Sequence, residues 1–229
     1  MSIQAIINRS NGLEMNRRKL VGIQYTRNEL SRTSLTPTFN PWRFKVELPN
    51  SLRYSEARGI IEAIDKLDRI YPETISFGDN TKMNWIFKYQ GGASLAQLNG
   101  IRVQSFVGNQ LVLTNLPAIS GARILFAAND LIQLGSITHP FTSTTDVLRG
   151  TGATVTVTTH RPNIIPSSVV SLGITVGTNC KFTVFCPNMP TYKLFVGGAT
   201  TDSYGQMSNN AYIEWSDSFQ LYEWFGDLQ

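Results

Sequence analysis

The sequence has few of the residues that usually carry chemistry or cross-links. Its 229 residues include only two histidines and two cysteines, and charged residues make up 16%. His139 and His160 lack the close Cys or His neighbours of a metal site. No apolar run approaches the roughly 18 residues that span a bilayer. These absences count against a metalloprotein and an anchored membrane protein. Residues 1–10 also lack the layout of a signal peptide, so we expect synthesis in a cytoplasm.

Enzymatic motifs are also scarce. No G-x-S-x-G motif occurs, and Gly150-Thr151-Gly152 lacks the Lys-Ser/Thr of a phosphate-binding loop, so we interpret it as a hairpin turn. Glu214 and Asp217 could form a glycosidase pair, but they have opposite parity on a predicted strand. We interpret both histidines as surface or strand-end residues. The sequence therefore assigns no catalytic, cofactor-binding or metal-binding residue, and we expect no enzymatic activity.

The two cysteines lie in one extended run. Cys180 and Cys186 are six strand residues apart, which places them roughly 20 Å from each other, beyond the reach of a disulfide. They share strand parity with Phe182 and Val184. We therefore expect two buried thiols, which suits a reducing compartment.

Charge is distributed unevenly along the chain. Residues 1–58 contain ten Arg or Lys and four Asp or Glu, a net charge of +6. Residues 194–229 contain five acids and no Lys or Arg, a net charge of −5. The two ends could meet between subunits, or both could be solvated surfaces. The basic residues are scattered and lie in no recognisable nucleic-acid-binding module.

One stretch in the first half has the clearest pattern. Apolar and charged residues alternate over 42–48, which predicts a strand with one buried face. The spacing then changes to that of an amphipathic helix over 54–69, which ends before Pro72. The apolar stripe of this helix is Ala57, Ile60, Ile61, Ile64 and Leu67. A returning strand at 74–77 completes a unit that needs more sheet from elsewhere.

The other segments are predicted to be mostly extended. A strand at 20–25 precedes a polar stretch at 28–41, which we interpret as an extended arm. Residues 85–89 form an aromatic strand. Residues 99–167 hold five or six short strands, with a hairpin turn at Gly108-Asn109, and suggest a small barrel. Later strands are predicted at 180–186, 192–196 and 212–224.

We therefore expect a mainly β fold with one packed helix, in three parts. Residues 1–41 form an N-terminal strand and an extended arm. Residues 42–98 and 168–229 form the main domain, built of strands and sheet around the helix at 54–69. Residues 99–167 form an inserted small β-barrel.

Aromatic residues near the C-terminus admit two interpretations. Along 212–222, Ile213, Trp215, Asp217, Phe219 and Leu221 share one parity and predict a buried face. Trp224 and Phe225 then follow as exposed aromatics, which could anchor a protein interface or bind a sugar.

Four segments of the chain match a known pattern. They are NPWRFKVELP at 40–49, YSEARGIIEAIDKLDR at 54–69, GARILFAANDLIQL at 121–134 and ATVTVTTHRP at 153–162. These segments resemble the tail structural proteins of tailed bacteriophages, in particular the distal tail and baseplate-hub class. The resemblance implies a tail-tube-like split β-barrel with a packed helix. It also implies that 99–167 is an OB-like barrel inserted on the outside, where it can contact other baseplate or fibre proteins.

The same resemblance implies a structural role in the virion. Copies of the chain are expected to form a ring, commonly a hexamer, that connects the tail tube to adhesion or fibre proteins. Phage DNA passes through the ring without sequence-specific binding, and no membrane anchoring is expected. The virion tail is then the final location, after synthesis in the host cytoplasm.

Two other functions remain open. The first is a carbohydrate-binding, receptor-binding module of a phage adhesion device, which predicts exposed aromatics in a groove. The second is a cell-wall hydrolase, which requires activity that depends on Glu214 or Asp217.

Overall fold

A computed structural model describes most of the chain. The described residues are 2–17, 21–25, 31–35, 41–48, 52–65, 71–187, 191–195, 200–201, 207–208, 211–215 and 218–226. Within them the fold is mainly β, with three α-helices.

The elements of the first hundred residues begin with a helix. They are α1 (Ser2–Arg9), β1 (Gly12–Asn16), β2 (Val21–Tyr25), β3 (Ser31–Leu35), β4 (Arg43–Glu47), β5 (Leu52–Arg53), α2 (Tyr54–Asp65), β6 (Glu73–Ser76) and α3 (Leu95–Leu98). A 3₁₀ helix covers Asn84–Phe87.

The remaining elements are strands and one short 3₁₀ helix at Gly177–Asn179. The strands are β7 (Arg102–Val107), β8 (Gln110–Thr114), β9 (Ile124–Phe126), β10 (Leu131–Leu134), β11 (Phe141–Thr142), β12 (Val147–Leu148), β13 (Val155–Thr158), β14 (Ile174–Val176), β15 (Lys181–Phe185), β16 (Tyr192–Phe195), β17 (Thr200–Thr201), β18 (Met207–Ser208), β19 (Tyr212–Trp215) and β20 (Phe219–Glu223).

The main sheet joins the two ends of the chain. Its order is β1-β4-β20-β15-β6, and every pair is antiparallel. The buried parity predicted for 42–48 is confirmed, because Phe44 and Val46 are at most 2% exposed. Phe182 from β15 lies against Trp42 and Phe44, with ring centroids 5.5 and 5.1 Å apart. This first core therefore depends on residues far apart in sequence.

Helix α2 covers one side of this core. It begins at Tyr54, and Ala57, Ile60 and Ile61 are buried as the stripe predicts. The side chain of Ile64, and Leu67 with the predicted end of the helix, lie outside the described residues. Cys180 and Cys186 are buried free thiols, as expected.

A second core lies in the middle of the chain. Its buried residues run from Ala93 to Val176, so it extends beyond the predicted segment 99–167 on both sides. Strands β13, β8 and β7 form one sheet, β11, β10 and β14 another, and β12 pairs with β9. The predicted hairpin at Gly108-Asn109 is confirmed between β7 and β8, with Gly108 at φ +53°. Among the described strands no sheet closes into a barrel.

Three local predictions differ from the structure. The aromatic strand at 85–89 is wrong, because a 3₁₀ helix there turns Phe87 into the core and leaves Trp85 exposed. Within the predicted arm, Ser31–Leu35 is a strand paired with β2, while 28–30 and 36–40 lie outside the described residues. The single strand predicted at 212–224 is instead β19 and β20, which belong to different sheets.

Helix α1 was not predicted, and it covers an edge of the main sheet. Ile3, Ile6 and Ile7 are at most 1% exposed and pack into the first core. The Gln4 side-chain amide accepts a hydrogen bond from Ser76 N (2.8 Å) and donates one to Ser76 O (2.9 Å). Because a free edge strand offers such unpaired groups, Gln4 protects the β6 border at Ser76.

Candidate functional site

A buried ion network joins the two ends of the chain to its middle. Arg161 donates two hydrogen bonds to Glu223, from Nη1 to Oε2 (2.6 Å) and from Nη2 to Oε1 (2.8 Å). Both side chains are 0% exposed. Such a bidentate pair fixes both distance and orientation. It therefore ties the segment after β13 to the end of β20.

His139 is a third member of the network, so the prediction that it lies on the surface is wrong. It is 1% exposed, and its Nδ1 donates to Glu223 Oε1 at 2.9 Å. Its ring stacks on Phe225 with centroids 5.4 Å apart. The sequence gives no local sign of this contact, because the two partners are 84 residues apart.

Backbone groups complete the bonding of the network. Trp42 N donates to Glu223 Oε2 at 2.8 Å, and Trp42 Nε1 donates to Pro140 O at 3.0 Å. Arg161 Nη2 also donates to Pro140 O, at 3.1 Å. Burial alone raises the pKa of the Glu223 carboxyl. The positive charge of Arg161, and the hydrogen bonds that the carboxylate accepts, together lower that pKa below its ordinary value. Glu223 is therefore a carboxylate in the folded protein.

A second basic residue clamps the same region from the N-terminal side. Arg17 follows β1 and donates hydrogen bonds to Asn129 Oδ1 and Thr142 Oγ1. Its guanidinium carbon lies 5.5 Å from the centre of the Trp42 ring. Arg17 thus reaches from the main sheet to the middle segment, and Arg161 reaches from the middle segment to the main sheet.

His160 is held neutral between these two cations. Thr142 N donates to its Nδ1 at 3.0 Å. Burial, and then the positive charges of Arg161 and Arg17, lower the pKa of His160 to about 2. His160 is partly buried two residues after β13, so the expected strand-end position holds but full surface exposure does not.

This neutral histidine gives a prediction for the pH dependence of stability. The unfolded chain takes up a proton on His160 below pH 6.5, whereas the folded chain does so only near pH 2. Stability should therefore fall as the pH drops below 6.5, by up to about 1.4 kcal/mol per pH unit from this group. We expect H160N to flatten the difference between pH 7 and pH 5 in urea titrations. If the free energy of unfolding changed equally between pH 7 and pH 5 in the wild type and in H160N, the neutral state assigned to His160 would be contradicted.

Among the described residues, the others considered from the sequence form no common site. Glu214 is exposed on β19, opposite Lys193 of β16, and Asp217 lies outside the described residues. Trp224 and Phe225 are half-buried, so the expectation of exposed aromatics there is wrong. Trp224 contacts Phe185 edge-on at 5.5 Å. Their rings are occupied by contacts within the chain.

Gly150 also differs from its prediction. It has φ +61°, and its N–H donates to Gly121 O at 3.0 Å. It precedes a bend between β12 and β13, which pair with different strands, so the segment is not a hairpin turn.

Metal binding finds no support in the described part of the chain, which contains no group of three His, Cys, Asp or Glu side chains able to hold an ion. The network's charged atoms are buried and bonded to one another. We therefore interpret the network as a structural connection between segments of the chain.

Two open clefts lie outside the network. One of about 640 Å³ is lined by Gln4, the β6 border and Lys181. The other, of about 580 Å³, lies beside Trp85 and Leu95. Both volumes fall in the range of small-molecule sites.

No protein-family model matches the chain, and no curated protein is significantly similar to it. No described helix is long and apolar enough to cross a membrane.

Proposed function

We propose that this chain is a structural protein of a bacteriophage tail tip or baseplate. Copies of it form a ring, six-fold in this proposal, that joins the tail tube to adhesion or fibre proteins and leaves a channel for DNA. The main domain is a tail-tube-like split β-barrel, and the segment 99–167 is an inserted OB-like barrel. The proposal starts from the sequence resemblance, and one surface feature supports it.

That feature is an exposed apolar sheet border. Strand β16 pairs with β19 alone among the described strands, and each of its residues is exposed. Tyr192, Leu194 and Phe195, with Tyr212 of β19, are each between 38% and 46% exposed. A strand that is apolar, exposed and open at one edge is a site where another chain can pair or pack. A partner surface accounts for this border better than solvent does.

A second border is open at the other end of the main sheet. Among the described strands β1 pairs only with β4, and Met15 is 41% exposed. At the opposite border, β6, the Gln4 amide occupies the N–H and C=O groups of Ser76. The β1 border is therefore the one we propose for extension of the sheet.

Two different borders on one molecule suit a ring. When one surface of a copy meets a different surface of the next, the contact is heterologous, and a closed rotation gives a ring. In our proposal β16 of one copy meets β1 of its neighbour. Strand β1 carries Glu14 and β16 carries Lys193, and these opposite charges can pair across such a contact.

The buried ion network supports the same proposal. A ring closes only if every copy has the same shape. Arg161 and Glu223 fix the middle segment against the main sheet, and Arg17 adds a second attachment. The subunit can then present its middle segment, and any partner on it, at a constant angle.

The exposed border gives a direct test of assembly. Leu194→Arg places a charge in the centre of the proposed contact and should convert the oligomer to monomer. The matched control is Val170→Arg, because Val170 is also exposed (56%) but lies outside both borders. Native mass spectrometry and light scattering measure the state, and circular dichroism checks that both variants are folded. A wild-type chain that stays monomeric at high concentration would count against the ring.

A further inference from the structure

The residues that line the cleft of about 580 Å³ take no part in the contacts proposed for assembly. Three separate segments line it: the 3₁₀ helix with Lys88 and Tyr89, the start of α3, and the end of β14 with Thr178. Two large apolar side chains in its lining are exposed, Trp85 at 67% and Leu95 at 50%.

Trp85 is held in place although it is exposed. Its indole Nε1 donates to Lys82 O at 3.0 Å, within the same turn. Phe87, two residues later, is buried in the first core and anchors the 3₁₀ helix. A fixed ring loses little conformational entropy when a ligand stacks on it. Trp85 is therefore a preformed flat platform at the cleft.

The polar groups around this platform are available for a ligand. The side chains of Asn84, Lys88 and Thr178 make no hydrogen bond within the described part of the protein. Ser94 Oγ accepts a hydrogen bond from Gln97 N, and its hydroxyl proton remains free to donate. The lining has one cation and no carboxylate. The amide and hydroxyl groups both donate and accept hydrogen bonds, so they suit a ligand rich in hydroxyls.

We infer that this cleft is a binding site for a neutral oligosaccharide, with Trp85 as the stacking platform. A pyranose ring presents a face of C–H groups. Their hydrogen atoms carry a small positive charge and are attracted to the negative face of an indole. Its hydroxyls both donate and accept, so they match the Asn84 amide, the Ser94 and Thr178 hydroxyls and the Lys88 ammonium. A helical peptide would require a continuous apolar groove, and this lining mixes apolar and hydrogen-bonding groups.

The test compares binding of three defined probes, maltohexaose, cellohexaose and chitohexaose, to the full chain by isothermal titration. We expect saturable binding of at least one of them to the wild type. Trp85→Ala should weaken that binding about tenfold, since an aromatic contact of this kind is worth up to about 1.4 kcal/mol. The control Tyr71→Ala removes another aromatic, 66% exposed and outside the cleft, and should bind as the wild type does.

Two outcomes would overturn the inference. One is the absence of saturable binding for all three probes, and the other is equal affinity in the wild type and W85A. Loss of binding to a purified tail or fibre protein in W85A, without any sugar affinity, would assign the cleft to protein docking and also overturn it. Native mass spectrometry of the same samples reports ring assembly independently, so failure of this inference is distinguishable from failure of the assembly proposal.

Discussion

Replacing Glu223 with glutamine should lower the free energy of unfolding by about 3–5 kcal/mol. The amide keeps the shape of the side chain but removes its charge. Arg161 then remains buried with its charge uncompensated, and its side chain is 0% exposed. Total stability of a domain is about 5–15 kcal/mol, so this loss is a large part of it.

Urea titration at pH 7 measures this effect. The matched control is Glu214→Gln, the same substitution on an exposed residue of β19, which should change stability by less than about 0.5 kcal/mol. Adding Arg161→Met to E223Q removes the stranded charge and should restore part of the loss. A loss in E223Q no larger than in E214Q would mean that the network does not hold the segments together.

Ile60→Asp should leave no folded protein at 25 °C. Ile60 is 2% exposed on α2 and packs into the first core. A carboxylate at this position would lose its hydration inside an apolar core. The apolar contacts of isoleucine would be lost as well. The summed cost is several kcal/mol and approaches the total stability of the fold.

The matched control places the same residue on the other face of the helix. Arg58 is exposed two positions earlier, so R58D should remain soluble and show a native circular dichroism spectrum. Soluble expression and cooperative thermal unfolding are compared for both variants. A cooperative transition in I60D near the wild-type temperature would show that α2 does not contribute to the core.

Short-range patterns predicted much of the fold. Alternation at 42–48 identified the buried face of β4, and helical spacing identified Ala57, Ile60 and Ile61. The parity of Cys180 and Cys186 predicted buried thiols correctly. These predictions succeeded because each depends on neighbours within a few residues, where burial repeats with the period of the element.

Two omissions had local signals. Ile3, Ile6 and Ile7 have the i, i+3, i+4 spacing of a helix, but the segment is too short for that pattern to stand out. Glu223 continues the buried parity of Phe219 and Leu221 on β20, so its burial was visible as an acid on an apolar face.

Other errors came from contacts distant in sequence. His139 and Arg161 gave no local sign of burial, because their partner Glu223 lies 84 and 62 residues away. The 3₁₀ helix at Trp85 replaced a predicted strand because burial of Phe87, rather than strand propensity, decides the local conformation. The cleft beside Trp85 could not be predicted, since three distant segments line it.

The Gln4 amide affects where a strand from another chain could be added to the main sheet. It imitates a peptide group, meeting both the donor and the acceptor of Ser76, yet a side chain has no next residue with which to continue a ladder. A strand from another chain could not continue the ladder at Ser76 without displacing this amide. Each subunit therefore opposes sheet growth at this end of β6 with a side chain of its own.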